Sequence, residues 1–131
     1  MHECLVLFQL SSNDLDPNLI TKSLDLQPFK IKSSNELHPK WNYWQFSNGK
    51  RIDDYVDLYN EADKIVEMLS PYKDKIKELI SQFQLEPMFR VIVYLDTKRE
   101  DISVPAIGFS KKVIEFANEI SSEIDVDVYL I

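Results

Sequence analysis

Residues 52–83 read IDDYVDLYNEADKIVEMLSPYKDKIKELISQF, and their apolar positions carry the strongest periodic signal in the chain. Tyr55, Val56, Tyr59, Ala62, Ile65, Val66, Leu69, Tyr72, Ile76, Leu79, Ile80 and Phe83 recur at steps of three and four residues, the spacing that lines one face of an α-helix. Ser70-Pro71 interrupts the run as an N-cap and a first-turn proline would. The stretch therefore predicts two consecutive helices, or one kinked helix, at 53–69 and 71–84. The stripe keeps its register through the break, which supports both pieces lying on one sheet; a stripe of this length would also serve as a homodimer seam.

Apolar runs with strand character flank this helical stretch. Cys4 to Leu10, bounded by Ser11-Ser12-Asn13-Asp14, predicts a central strand buried on both faces. Asp16-Pro17 then opens a short helix, with a carboxylate N-cap and proline at the first helical position. Its inner face is Leu19, Ile20, Ser23 and Leu24, and it must end before Pro28. Residues 29–40 hold the alternation Phe29-Lys30-Ile31-Lys32, read as a short edge strand followed by a loop that is the expected mobile region. Trp41 to Phe46 resumes strand character, with Trp41, Tyr43 and Gln45 on one face and Asn42, Trp44 and Phe46 on the other. Ser47-Asn48-Gly49-Lys50 is expected to close it as a turn, its Asn-Gly pair suiting a hairpin or a strand-to-helix turn.

Downstream, Met88 to Leu95 is a strand, and Ile102 to Ile107 an edge strand or loop limited by Pro105. Ser110 caps a helix that turns Val113, Ile114, Ala117 and Ile120 inward, and Ile124 to Ile131 is a closing strand of clean alternation. The order β-α-β-α-α-β-α-β predicts a single α+β domain over residues 1–131. Its core would be one mixed β-sheet of four main strands plus one or two short edge strands, with helices mainly on one face.

Composition narrows the chemistry. Gly49 and Gly108 are the only glycines, which excludes the common glycine-rich phosphate loops and nucleophile elbows. The 22 acidic residues outnumber the 15 basic ones, for a net charge of −7; this disfavours nucleic acid and suits solubility or a basic partner. Cys4 is the only cysteine, so no intrachain disulfide forms and a reducing, cytoplasmic compartment is expected. No basic leader precedes the run Leu5–Leu10, which is far shorter than the ~20 residues of a membrane span, so neither secretion nor membrane insertion is expected.

Asp14-Leu15-Asp16-Pro17-Asn18-Leu19-Ile20-Thr21 leading to Leu24-Asp25-Leu26-Gln27-Pro28, the Trp44 strand, the long helix pair and the ending Asp125-Val126-Asp127-Val128-Tyr129 belong together. Over nearly the whole chain they resemble a bacterial family, domain of unknown function 4279. The resemblance implies a bacterial, cytosolic, single-domain protein. It implies no catalytic residue, because the family brings no established active site. The family pattern often has a glycine before the tryptophan strand, whereas residues 30–40 here have none.

Candidate sites are few. Trp41, Tyr43, Trp44 and Phe46 beside Lys40, Lys50 and Arg51 could stack single-stranded nucleic acid, but in a sheet covered on one face half of them must be core. With nucleic acid disfavoured by charge, Trp41 and Tyr43 would instead wall a small-molecule pocket beside residues 29–40. Asp14, Asp16, Asp25, Asp125 and Asp127 lack calcium-loop spacing and read as a helix cap and the solvent side of a strand. His2 and Cys4 share a strand face but close no zinc site, and an apolar run raises a thiol pKa rather than lowering it. No metal or cofactor is expected.

Asp53, Asp54, Asp57, Glu61 and Asp63 crowd the start of the long helical stretch. The helix dipole accounts for part of this, but Asp57 and Glu61 repel each other at i, i+4. Asp54, Asp57 and Glu61 therefore mark an acidic surface for a basic protein partner. The sequence favours a non-catalytic protein-interaction module, immunity-like or antagonist in kind. A small-molecule-binding domain using Trp41 and Tyr43 is the alternative, and an enzyme stands third.

Overall fold

The computed structural model describes residues 1–33, 42–101 and 103–131. The Cys4–Leu10 run lies in a longer strand, β1 (His2–Ser12). β1 is central: β5 (Glu86–Leu95) pairs antiparallel along one edge, and β3 (Asn42–Ser47) and β4 (Arg51–Asp53) pair antiparallel along the other. β2 (Lys30–Lys32) lies antiparallel outside β3, and β6 (Glu123–Leu130) lies parallel outside β5. The strand order β2-β3-β1-β5-β6 is the mixed sheet that the alternating patterns predicted.

Period decides which face is covered. The even-numbered residues Cys4, Val6, Phe8 and Leu10 of β1 share one core with Trp44, Phe46, Phe89, Val91 and Val93. The same core takes Ile20 and Leu24 of α1 (Asn18–Leu24), Ala62 and Ile65 of α2 (Leu58–Leu69), Ile76 and Leu79 of α3 (Lys73–Phe83), and Val113 and Phe116 of α4 (Lys111–Glu119). All four helices thus pack on one face of the sheet, as an α+β fold requires. At its centre Phe116 meets Phe8 and Phe89 edge-on, with centroids 6.2 and 6.3 Å away. Trp44 is fully buried, and its indole N–H donates to Thr21 Oγ1 at 3.1 Å, so the one polar atom of the largest core side chain is satisfied.

Several boundaries differ from the sequence reading for local physical reasons. α2 starts at Leu58 rather than 53 because residues 51–53 are drawn into the sheet. Asp57 is the N-cap, extended at φ −104° and ψ 91°, with its carboxylate accepting the Asn60 N–H at 3.0 Å. Ser70-Pro71 does not restart a helix with a serine cap. It begins a 3₁₀ turn (Ser70–Tyr72) that carries the chain from α2 into α3, with the Ser70 hydroxyl donating back to the Val66 carbonyl. Asp16 still accepts the Asn18 N–H at 3.0 Å, but α1 begins after Pro17 rather than at it. Ser110 caps α4 as expected, accepting the Val113 N–H. Residues 103–107 form no strand.

The largest correction concerns Ser47-Asn48-Gly49-Lys50, which is neither a hairpin nor a strand-to-helix turn. The chain continues in the same direction along β1: Ser47 opposes Leu7, and Arg51 opposes Cys4. Three residues, 48–50, therefore face two, Leu5 and Val6, and the extra residue is a β-bulge. Gly49 sits at φ +91°, where glycine alone is relaxed. The Ser47 hydroxyl locks the bulge, donating to the Val6 carbonyl at 2.7 Å and accepting the Gly49 N–H at 3.0 Å. Parity flips across it. Even-numbered Trp44 and Phe46 face the helices before the bulge, whereas odd-numbered Arg51, opposite Cys4, does so after it. Trp41, residues 34–40 of the expected mobile loop and Ile102 lie outside the described residues.

Candidate functional site

The face of the sheet turned away from the helices is built in cross-strand rows, since residues paired across a ladder project to the same side. One row runs Lys32, Tyr43, Ser11 and Glu86; the next runs Lys30, Gln45, Gln9 and Met88; a third runs Ser47, Leu7, Arg90 and Asp125. Farther along, Glu3 lies between Ile52 and Tyr94, and Tyr94 stacks on Tyr129 with centroids 5.2 Å apart. The face is polar at the Tyr43 end and aromatic and aliphatic at the other.

At the Tyr43 end lies a cleft of about 400 Å³, lined by Gln9, Ser11, Ser12, Asn13, Asn42, Tyr43, Gln84, Glu86 and Arg90. Its rim is fixed from several elements. The Ser12 hydroxyl accepts the Asp14 and Leu15 N–H groups where β1 ends, and the Asn42 side chain donates to the Asn13 carbonyl at 3.0 Å. Gln84 ends α3 in the left-handed conformation at φ 54°, which turns the chain back into β5 and brings Glu86 beside Ser11. Beside the cleft, the Gln45 side-chain amide donates from Nε2 to Oε1 of Gln9 at 2.8 Å. Arg90 reaches the other way as well, with its guanidinium 3.7 Å from Asp125 and 3.4 Å from Asp127. The two acids of the last strand are thus tied to an arginine rather than gathered for a cation.

The residues singled out from sequence are distributed rather than assembled. Tyr43 lines the cleft. Asp54 and Asp57 instead line a second depression of about 300 Å³ between the start of α2 and residues 103–106. That depression lies by the opposite end of β1, where His2 pairs with Asp53, roughly 30 Å from the Tyr43 end at ~3.3 Å per strand residue. Glu61 is only 12% exposed and pairs with Arg51 at 3.3 Å and Lys64 at 3.5 Å. Asp54 lies 3.5 Å from the Arg99 guanidinium, and Asp57 is occupied as the α2 cap. Trp41 lies outside the described residues.

Neither candidate for nucleophile or base sits in the cleft. Burial, with a smaller contribution from Glu61, pushes the Cys4 thiol up to about 11, so it stays protonated. The buried His2 ring accepts the Asp96 N–H at Nδ1 (3.0 Å) and donates from Nε2 to the Ser103 carbonyl (2.8 Å), which engages both nitrogens. Sequence reasoning missed Gln9, Gln84, Glu86 and Arg90. The available signal was a polar side chain in an apolar strand, Gln9 within Cys4–Leu10 and Arg90 within Met88–Leu95.

A family model, described as Domain of unknown function (DUF4279), matches residues 2–131. The chain belongs to that family. No curated protein and no solved structure matches it significantly. The match covers every strand and helix of the DUF4279 fold given above, so the cleft lies wholly within the family domain. Among the described residues of this DUF4279 chain, no helix is long and apolar enough to cross a membrane.

Proposed function

We propose that this DUF4279 domain is a non-catalytic binding module whose open sheet face takes a small, ring-shaped, hydroxyl-rich ligand of the sugar type at its Tyr43 end. The observation that carries the reading is the convergence, from separate strands and the α3–β5 junction, of a tyrosine, a guanidinium, a carboxylate and side-chain amides on one cavity of about 400 Å³. A cavity of this size suits a small molecule. The tyrosine ring matches the apolar face of a sugar, Glu86 accepts from its hydroxyls, and Gln9 and Arg90 donate to them. The positions of Cys4 and His2 support binding over catalysis, since neither faces the cleft.

A basic protein partner at Asp54, Asp57 and Glu61 carries less weight, because a helix cap and three basic side chains already engage these carboxylates. The test is saturation-transfer NMR and thermal shift against a panel of mono- and disaccharides, nucleosides and amino acids at millimolar concentration. A sugar hit that Tyr43→Ala weakens at least about tenfold (1.4 kcal/mol), with the melting temperature of the free protein nearly unchanged, is the expected result. A panel without binders, or a hit indifferent to Tyr43→Ala and Glu86→Gln, overturns the proposal.

A further inference from the structure

Among the described residues β6 pairs with β5 alone, so its other side is a free sheet edge. The Ile131 N–H donates to the Leu95 carbonyl, and the Ile131 carbonyl accepts from the Thr97 N–H. Odd-numbered backbone groups therefore turn toward β5. By alternation, the N–H and C=O of Val126, Val128 and Leu130 point out from the edge. Their side chains lie on the helix side of the sheet, opposite Val91, Val93 and Leu95, yet no helix covers them: they are 37%, 44% and 71% exposed. A long edge with apolar side chains and unpaired backbone is a template for strand addition.

We propose that the occupant of this edge is a second copy of the same chain, joined antiparallel through β6 about a two-fold axis at Val128. In that register Val128 opposes its own copy and Val126 opposes Leu130, so the outward backbone groups of all three residues exchange hydrogen bonds and the three aliphatic side chains pack on one face. On the other face Asp127 opposes Tyr129 of the second copy, a phenol donor against a carboxylate. Moving the axis to Asp127 would set two carboxylates face to face, which is unfavourable; moving it to Tyr129 would set Asp127 against Ile131 of the second copy, with no donor for the carboxylate. The charge on this edge is already moderated, because Arg90 lies against Asp125 and Asp127 within each protomer. The ring of Tyr129 is held by its stack on Tyr94. The result is one continuous sheet across both copies, with both helix layers on the same side.

The full chain should sediment as a dimer at micromolar concentration, and Val128→Lys should weaken association at least about tenfold while keeping a monomer with native circular dichroism. Val128→Cys should give a disulfide-linked dimer on mild oxidation, because hydrogen-bonded antiparallel partners place their Cα atoms about 5.5 Å apart, inside the disulfide range. Val126→Cys should not, since its own copy lies more than about 13 Å along the strands. Buried Cys4 does not compete. A wild-type chain that stays monomeric, or a dimer that Val128→Lys leaves intact, overturns the proposal. A dimer cross-linked through position 126 rather than 128 overturns the register.

Discussion

Replacing Gly49 by alanine isolates the backbone cost of the bulge that lets one edge of β1 serve both β3 and β4. A Cβ at Gly49 would meet nothing within 4 Å, so no steric term enters; the residue's φ of +91° is the whole cost. An L-residue held at positive φ loses roughly 1–2 kcal/mol, and the stiffer unfolded chain returns about 0.4–1 kcal/mol. The net expectation is a loss of about 1 kcal/mol, or about 3–5 °C in Tm for a domain of this length. Gly49→Asn should cost less, because asparagine tolerates positive φ better than alanine. Deleting Gly49 should cost far more, because without the extra residue Arg51 turns away from Glu61. Urea unfolding monitored by circular dichroism, with equal m-values across the set, gives the comparison. Ser47→Ala should lose a further amount of about 1 kcal/mol that is not additive with Gly49→Ala, since one hydroxyl joins the Val6 carbonyl to the Gly49 N–H. An alanine variant as stable as the parent, or an asparagine variant less stable than the alanine one, would refute the bulge.

Cys4 and Asp57, both outside the cleft, give further outcomes. Cys4 should resist a disulfide reagent at pH 8 until the protein is unfolded, and its thiol should make the fold alkali-sensitive: the unfolded thiol ionises near 9.0 while the folded one holds its proton to about 11. Stability is therefore full below pH 9 and falls as pH rises toward 11, a decline that Cys4→Ala should flatten after correction for its packing cost. Asp57→Ala should lose about 1 kcal/mol through the α2 cap, whereas Asp57→Asn should lose little; equal losses would mean that charge rather than capping is the role of this residue.

The helices were legible because a period of 3.6 reports burial directly, as in Ile65, Val66 and Leu69, although Leu19 and Ile114, read as inward, are exposed. Cys4–Leu10, read as buried on both faces, is covered by helices only on the side of Cys4, Val6, Phe8 and Leu10, with Leu5 and Gln9 half-buried on the other. What escaped depends on pairing. Asn48-Gly49 carries the same local signal in a hairpin turn and in a bulge; only β1, continuing past Leu7 to His2, decides between them. Ser70-Pro71 likewise permits a restart or a 3₁₀ turn, and the unbroken apolar stripe of α2 and α3 selects the latter. The cleft was hidden because its lining comes from β1, β3, β5 and the end of α3, and Arg90, Gln9 and Tyr43 come to line one cavity only once the register is set. Alternation put Tyr43 on the face opposite Trp44 but left open which face is core; the pairing of Trp44 with Leu10 sets that. Asp57 and Glu61 drew attention by charge, but their partners Asn60 and Arg51 are an amide of the helix itself and a residue of a strand that the sequence did not declare.

The central place of β1 also sets an order in time. Its ladder with β5 joins Glu3 to Tyr94 and Ser11 to Glu86, separations of roughly 75–90 residues, which carry a high loop-closure cost and slow folding. During synthesis β1 emerges ahead of β5 and waits for this principal partner until the residues between them have been made. Until then Leu5, Val6, Leu7 and Phe8 are exposed to any other strand that can pair with them. The segment that organises the finished sheet is thus also the one most in need of a chaperone while the chain is incomplete.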